Sequence, residues 1–291
     1  MSKTNNKNFL LIFVLIVFIA EAILFYIGNY KSNEGFRKEE ERIQIIGKVL
    51  SEVQVKAKAV SVIDADLGRE IYGQNQNEML PLASLVKTMT ILVSLDDSDL
   101  SSEVVISKKA IDQMGDYGLF INEKWKRGDL AKLTLIGSVN DGAYALSENI
   151  SDFLEKMNSK ARRIGMEDSL FSSSTGLDMD GERVSAYASA RDANIMALYA
   201  LEAYPEVFGI TVLPEMNFKS ESGFSHNIKN TNIILGKIPD LLFSKTGFTQ
   251  LAGGNLTVIL KNRDGHRIAI TVLGSTMEGR FSDMEKLINV L

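Results

Sequence analysis

The 291-residue sequence contains no cysteine, and this absence removes several kinds of chemistry at once. Without a thiol the chain can form no disulfide, has no cysteine nucleophile and cannot build a cysteine-based metal site. Histidine is nearly as scarce, because only His226 and His266 occur. Two isolated histidines are expected to be surface or loop residues rather than ligands, so we predict no Ser-His-Asp arrangement. We expect no metal and no other cofactor.

A strong excess of charge is also missing, since the formal net charge is only −5 and the chain has no strongly basic tract. Nucleic acid is therefore not an expected partner. The hydrophobic fraction of 45% in 291 residues is enough for a membrane segment and one sizeable domain.

A long hydrophobic run lies near the N-terminus, from Phe9 to Ile27. Fifteen of its 19 residues are Leu, Ile, Val or Phe, and Glu21 is its one charged residue. The apolar side chains contribute about −4.5 to −9 kcal/mol to insertion, against about +3 kcal/mol for a central acid. The length is that of a spanning helix. Residues 1–30 are therefore predicted to form an N-terminal transmembrane anchor.

Two alternatives concern this segment. Ala20-Glu21-Ala22 fits the pattern of a signal-peptide cleavage site, but Ile23-Leu24-Phe25 continues the apolar run and favours a retained anchor. Two lysines precede the run and four Lys or Arg residues follow it by residue 42. That balance alone leans against an exported C-terminal domain.

Downstream, the pattern predicts a charged stalk or first helix over residues 31–56 and a domain over residues 57–291. Val60–Asp64 and Glu70–Tyr72 are predicted to form a hairpin, and Asn255–Leu260 and Arg267–Leu273 a second strand pair. Strands at both ends with helices between them indicate an α+β fold, in which one antiparallel sheet has a mostly helical side region.

Three short strings carry the chemistry: Ser84-Leu85-Val86-Lys87, Ser138-Val139-Asn140 and Lys245-Thr246-Gly247. The first and last patterns each occur once, whereas S-x-N occurs three times. Ser84 stands at the start of a predicted helix and Lys87 lies one turn further on the same face. A simple helix cap is the alternative for Ser84. Together the strings supply a nucleophile with its own base, a polar relay and a cationic strand edge, which are the parts of a Ser-Lys acyl-transfer enzyme.

From about Ala59 onwards the chain resembles the D-alanyl-D-alanine carboxypeptidases of the low-molecular-mass penicillin-binding protein group, the S11 type of serine peptidase. The resemblance lies in Pro81–Lys87, Ser138–Gly142, Thr175–Leu177, Ser189–Asp192, Lys245–Thr249 with Ala252-Gly253, and Gly279-Arg280. It implies the fold shared by serine β-lactamases and DD-peptidases. It also selects Ser138 among the S-x-N strings, because Asp141 follows it and a helix is expected to begin there.

The resemblance implies catalytic roles for three residues. Ser84 would attack the carbonyl of a terminal D-Ala-D-Ala bond, Lys87 would take its proton, and Ser138 would relay a proton to the leaving nitrogen. A lysine with an ordinary pKa is about 4.6 kcal/mol from losing its proton at pH 7. Burial and the nearby cation Lys245 are expected to lower that pKa.

Substrate-binding roles are implied for a second set of residues. Asn140 would bind the substrate amide, and Lys245 and Thr246 would face the substrate carboxylate or its hydrogen bonds. Gly247 would let the strand edge come close to the substrate. The backbone N–H groups of Ser84 and Phe248 would form the oxyanion hole. Arg280 is a candidate carboxylate ligand, with a solvated arginine at a helix start as the alternative. Thr231 stands where many relatives carry an arginine.

The implied partners are peptidoglycan stem peptides, β-lactam antibiotics and the membrane, with a single-pass anchor and an extracytoplasmic catalytic domain. Only 44 residues follow Gly247, so we expect neither the second domain nor the C-terminal anchor of many relatives. The alternatives are a DD-endopeptidase, a serine β-lactamase and an inactive, membrane-tethered peptidoglycan-binding protein. The glutamate string of class A β-lactamases has a counterpart only at Glu285–Asn289, after Lys245, which disfavours that alternative.

Overall fold

The computed structural model describes residues 37, 39–115, 118–179 and 182–291. The chain divides into two compact units, Met1–Lys48 and Val49–Leu291. The predicted transmembrane run Phe9–Ile27 lies outside the described residues. Within the described ranges no single helix is long and apolar enough to cross a membrane, although Ala190–Ala203 and Pro205–Val212, bent by 109°, pass that test as a pair.

The larger unit is built on a five-stranded antiparallel sheet with the order β10-β11-β12-β1-β2. The β1–β2 and β11–β12 hairpins are those that the sequence predicts, with tight turns after Asp64 and after Lys261, whereas the β10–β11 hairpin was not predicted. The strands of the described chain are β1 (Ala59–Asp64), β2 (Arg69–Gln74), β3 (Leu80–Pro81), β4 (Glu103–Val105), β5 (Lys124–Lys126), β6 (Ser169–Phe171), β7 (Ala186–Ala188), β8 (Glu215–Lys219), β9 (Ser225–Lys229), β10 (Leu241–Thr249), β11 (Gly253–Lys261) and β12 (Arg267–Ser275).

Among the described residues, one helix precedes β1, most lie between β2 and β10, and the last follows β12. They are α1 (residues 39–51), α2 (Val86–Asp97), α3 (Lys108–Ile111), α4 (Arg127–Gly137), α5 (Asn140–Ala145), α6 (Phe153–Arg163), α7 (Ala190–Ala203), α8 (Pro205–Phe208) and α9 (Gly279–Ile288). Short 3₁₀ segments cover Ala83–Leu85, Gly209–Val212 and Leu235–Lys237. The mostly helical region between β2 and β10 also contains the short strands β3 to β9, which the sequence pattern did not indicate.

Both faces of the sheet are covered, which explains why β11 and β12 are buried along nearly their whole length. On one face, Ala269 and Leu273 belong to the main core that the helical region builds. Side chains alternate along a strand, so Ile268 and Ile270 face the opposite side, where α9 packs against β11 and β12. The α+β architecture is thus a sheet with a large helical layer on one face and α9 on the other.

Helix α2 runs through the helical layer and is buried on all sides from Val86 to Leu95. A helix with no exposed face along this stretch lies inside the protein rather than on its surface. Because α2 is held by packing along its length, the segment just before it is also held in place. That segment carries Ser84.

The prediction that both histidines are surface or loop residues is wrong for His226. This residue lies in β9 with 7% of its surface exposed, and its Nε2 is 2.7 Å from Oε1 of the buried Glu123. The carboxylate partner satisfies the buried ring, and Trp125 and Phe120 pack beside it. His266 is partly buried and pairs with Asp64 at 2.8 Å.

Candidate active site

Ser84 lies in a 3₁₀ turn that leads directly into α2. Its side chain caps neither helix, so the alternative of a simple helix cap does not hold. Ala83 has φ of 48°, a left-handed conformation that costs energy for a residue with a Cβ. A Cβ on Gly176 would clash with the Ala83 carbonyl oxygen, so only glycine fits beside the turn. The strained turn is therefore fixed by close backbone packing.

The amine of Lys87 is fully buried and lies among three oxygen atoms. Its Nζ is 2.9 Å from Ser84 Oγ, 2.7 Å from Asn140 Oδ1 and 2.6 Å from the Thr175 carbonyl oxygen. A neutral amine has two hydrogens and one lone pair, and neither Asn140 Oδ1 nor the carbonyl can donate a hydrogen. Both hydrogens therefore go to those two oxygens. The lone pair is then directed at the Ser84 hydroxyl, which is the geometry of a general base.

Burial lowers the pKa of Lys87 from 10.5 to about 7, while the nearby carboxylate of Asp141 acts in the opposite direction. Half of the amine is then neutral near pH 7, as a general base requires. The sequence reasoning also assigned part of this effect to Lys245. In the structure the repulsion between the two amines lowers the pKa of Lys245 instead. Burial, and then the charges of Lys87 and Arg280, hold the pKa of Lys245 well below its usual value.

Ser138 and Lys245 form a second hydroxyl-amine pair. Helix α4 ends at Gly137, and Ser138 follows in a left-handed conformation with φ of 57° before α5 begins at Asn140. The Nζ of Lys245 donates to Ser138 Oγ at 2.9 Å and to the Thr246 carbonyl oxygen at 2.9 Å. Only 2% of the surface of Lys245 is exposed. The structure thus joins two motifs that lie 107 residues apart.

Asn140, the first residue of α5, contacts both sides of the site. Its Oδ1 accepts a hydrogen bond from Lys87, and its Nδ2 donates to the Met114 carbonyl oxygen at 2.7 Å. The sequence predicted a contact with the substrate amide, which remains a prediction. Orientation of the Lys87 amine is an additional role that the motif alone did not indicate.

Gly247 and Phe248 lie on β10, which is an edge strand of the five-stranded sheet in the part of the chain that the structure describes. A Cβ on Gly247 would lie 2.8 Å from the Leu82 carbonyl oxygen and 3.2 Å from Ser84 N. The strand therefore passes the nucleophile turn at a distance that only glycine permits. Its predicted close approach to the substrate remains a prediction. Phe248 follows and lines the same cavity as Ser84.

Arg280 lies in the first turn of α9 and lines the same cavity as Ser84. Its Nη1 donates to the Gly247 carbonyl oxygen at 2.7 Å, and it is only 7% exposed. Its Nε is buried without a hydrogen-bond partner among the described residues. The alternative of a solvated arginine at a helix start is therefore wrong.

These side chains meet at one cavity of about 360 Å³. Ser84, Ser138, Asn140, Thr246, Phe248 and Arg280 line it, together with the backbone of Gly247. The amines of Lys87 and Lys245 lie just behind the two serine hydroxyls. An activated hydroxyl, a second hydroxyl backed by an amine and a buried guanidinium can together transfer an acyl group from an anionic substrate.

The two other S-x-N strings and the glutamate string Glu285–Asn289 lie outside this site. Ser147 hydrogen-bonds to Ser174, and Asn227 is paired with Asn217 on the exposed β8–β9 hairpin. Glu285 forms an ion pair with Lys237 at 2.8 Å. The sequence analysis gave no role in the site to two residues. The carbonyl oxygen of Thr175, which lies in the Thr175–Leu177 string, accepts a hydrogen bond from Lys87, and the hydroxyl of Thr231 contacts that of Thr246.

Fold and site together have the arrangement of an α+β serine acyl-transfer site in which lysine stands in the place of histidine. The family described as D-alanyl-D-alanine carboxypeptidase, peptidase S11, matches residues 46–277. The chain therefore belongs to the peptidase S11 family.

Individual relatives agree with this assignment. The chain is 31% identical to a D-alanyl-D-alanine carboxypeptidase, DacF, of Bacillus subtilis over 254 residues, which cover 84% of the chain and 64% of that protein. It is 29% identical to a D-alanyl-D-alanine endopeptidase of Pseudomonas aeruginosa over 202 residues, covering 66% of the chain and 63% of that protein. The chain thus spans less than two thirds of either relative.

Among solved structures, penicillin-binding protein D2 of Listeria monocytogenes in a cefotaxime-bound form is similar with a TM-score of 0.71 and 30% identity. The similarity covers 82% of this chain and 98% of that structure. The shared fold is therefore that of the penicillin-binding DD-peptidases.

Proposed function

We propose that the chain is a serine-type D-Ala-D-Ala carboxypeptidase that acts on peptidoglycan stem peptides through a Ser84 acyl-enzyme. One observation carries the proposal: the Ser84 hydroxyl is hydrogen-bonded to a buried lysine amine whose pKa is lowered to about 7. A serine hydroxyl needs such a base to become a nucleophile near neutral pH.

In the acylation step, Lys87 Nζ takes the proton of Ser84 as Oγ forms a bond to the carbonyl carbon of the penultimate D-Ala. The negative charge that develops on the carbonyl oxygen is accepted by the backbone N–H groups of Ser84 and Phe248. The C–N bond then breaks, and Ser138 passes a proton to the nitrogen of the leaving D-Ala. Lys245, bonded to Ser138 Oγ, can restore the proton to that hydroxyl.

Hydrolysis of the acyl-enzyme follows the same path in reverse, with water in place of the amine. Water adds to the ester carbonyl and gives its proton through Ser138 to Lys245, and the C–O bond to Ser84 then breaks. Lys87 returns its proton to Ser84 Oγ, and the shortened peptide leaves.

The electrostatics of the cavity favour a substrate that ends in a carboxylate. Lys245 and Arg280 are both buried, so neither cation is fully solvated, and this burial lowers the pKa of each. An incoming carboxylate stabilises them by direct charge pairing. β-Lactams, which carry a carboxylate next to a reactive amide, meet the same requirement, and cefotaxime is bound in the solved structure of the Listeria relative.

The proposal includes attachment to the cell membrane through the apolar run Phe9–Ile27, with the catalytic domain outside the cell. The run has the length and composition of a spanning helix. The cell wall, where the proposed substrate lies, is outside the membrane. Protease protection of intact cells, with detection of the C-terminus, tests this orientation.

Incubation of the full-length chain in detergent with defined muropeptides tests the activity. Mass spectrometry is expected to show loss of a single D-Ala from pentapeptides and none with Ser84→Ala. A fluorescent penicillin should label the wild type and leave Ser84→Ala unlabelled. A folded wild-type chain that neither labels nor cleaves would favour the inactive, peptidoglycan-binding alternative.

Endopeptidase action on cross-linked peptides is the second candidate, because a Pseudomonas aeruginosa relative at 29% identity carries that name. The two reactions use the same acyl-enzyme and differ in the leaving amine. Cross-linked muropeptides in the same assay distinguish them, since an endopeptidase splits the dimer while a carboxypeptidase releases only D-Ala.

A further inference from the structure

Thr231 lies between β9 and β10, half-buried at the wall of the active-site cavity. Its Oγ1 is 2.6 Å from Oγ1 of Thr246, the middle residue of the Lys-Thr-Gly motif. Its backbone N–H donates to the Ile136 carbonyl oxygen at 3.3 Å, which ties it to α4. Thr231 is thus fixed from one side and presents its hydroxyl to the other.

A pair of hydroxyls has two hydrogens, of which only one can lie between the two oxygens. When Thr231 donates to Thr246, the hydrogen of Thr246 remains to donate elsewhere. A hydroxyl that already accepts a hydrogen bond is also polarised and donates more strongly. A carboxylate accepts and never donates, so it selects this orientation of the pair.

We infer that Thr231 is a positioning residue that sets specificity for a free terminal carboxylate, acting through the Thr246 hydroxyl. The inference rests on the proposed carboxypeptidase function. Arg280 lines the same cavity and supplies the charge, whereas the two threonines supply a directed donor. The site then recognises the carboxylate by both charge and hydrogen-bond direction.

A pair of peptides tests this inference: one ends in D-Ala-D-Ala with a free carboxylate, and the other ends in the corresponding carboxamide. Thr231→Val keeps the shape and removes the hydroxyl. It is expected to lower kcat/KM about tenfold for the carboxylate, in line with the loss of one directed hydrogen bond. The carboxamide, which lacks the charge, should lose about twofold or less.

Thr249→Val is the matched control. Thr249 lines the same cavity, but its hydroxyl donates to Asp178 at 3.0 Å and has no contact with Thr246. This variant should leave the ratio of carboxylate to carboxamide turnover unchanged. Thr231→Ser should restore the wild-type ratio, and Thr231→Val should have no further effect on the ratio in a Thr246→Val background.

The outcomes separate the two proposals. A wild-type chain that cleaves neither peptide overturns both the proposed function and this inference. Normal wild-type cleavage with an unchanged ratio in Thr231→Val overturns the inference alone. Thermal unfolding of each variant checks the fold, and Thr231→Ala carries the same expectation if the valine variant does not fold.

Discussion

The side-chain oxygen of Asn140 lies 2.7 Å from the amine of Lys87, and both residues are buried. This contact occupies one amine hydrogen, and the Thr175 carbonyl occupies another. The lone pair of the neutral amine then has only the Ser84 hydroxyl to face. Two acceptors of fixed position thus convert a flexible side chain into an oriented base.

The rate of acylation is expected to fall as the pH decreases through about 7, because burial lowers the pKa of Lys87 to that value. The active form is the neutral amine, so activity is present above this pKa and is lost below it. Each pH unit below the pKa reduces the neutral fraction about tenfold. Stopped-flow labelling with a fluorescent penicillin between about pH 5 and 9 measures this limb. A rate that does not change below pH 7 would argue against Lys87 as the base.

Asn140→Asp is expected to move that limb to higher pH. A carboxylate in hydrogen-bond contact with Lys87 favours the charged amine and raises its pKa, so the neutral base forms only at higher pH. The same stopped-flow measurement reports the shift. Asn140→Ala, which removes the contact without adding charge, should slow acylation with no upward shift. An unchanged midpoint in Asn140→Asp would show that the residue does not act on Lys87.

The sequence predicted the parts of the site that depend on local spacing. Lys87 lies one helical turn after Ser84, so their contact follows from helix geometry alone. The β1–β2 and β11–β12 hairpins likewise follow from strand alternation and turn residues. Each of these features depends on a few residues that lie close together in the sequence.

Contacts between distant segments could not be predicted in this way. The carbonyl of Thr175 that holds Lys87 comes from 88 residues away, and its position depends on the packing of Gly176 against Ala83. A backbone carbonyl has no sequence signature. The contact between the Thr231 and Thr246 hydroxyls could not be predicted for a similar reason. The loop that carries Thr231 is positioned by its hydrogen bond to α4, which lies far away in the sequence.

Asp283→Ala is expected to destabilise the domain without changing the site. The buried carboxylate of Asp283 accepts hydrogen bonds from the backbone N–H groups of Lys56 and Ala57 and from Ser275 Oγ. Its removal leaves buried donors unpaired, at a cost of about 2–4 kcal/mol. Thermal unfolding should show a midpoint lower by roughly 5–15 °C. Asp99→Ala, at an exposed position, should leave the midpoint unchanged.

Gly247→Ala is expected to abolish most activity while leaving the fold intact, because the added Cβ meets backbone rather than a flexible side chain. It would lie 2.8 Å from the Leu82 carbonyl oxygen, 3.2 Å from Ser84 N and 3.3 Å from Leu85 N. Either β10 or the nucleophile turn must move, and a displacement of about 1 Å can cost about a hundredfold in rate.

Gly236 provides the matched control, since a Cβ there would have open space within 4 Å. Gly236→Ala should label with penicillin at the wild-type rate. The two alanine variants add the same methyl group, so a large loss confined to Gly247→Ala would locate the effect at the contact between β10 and Ser84. Equal rates in both variants would mean that the strand can retreat from the nucleophile without cost, and the close approach would then have no catalytic role.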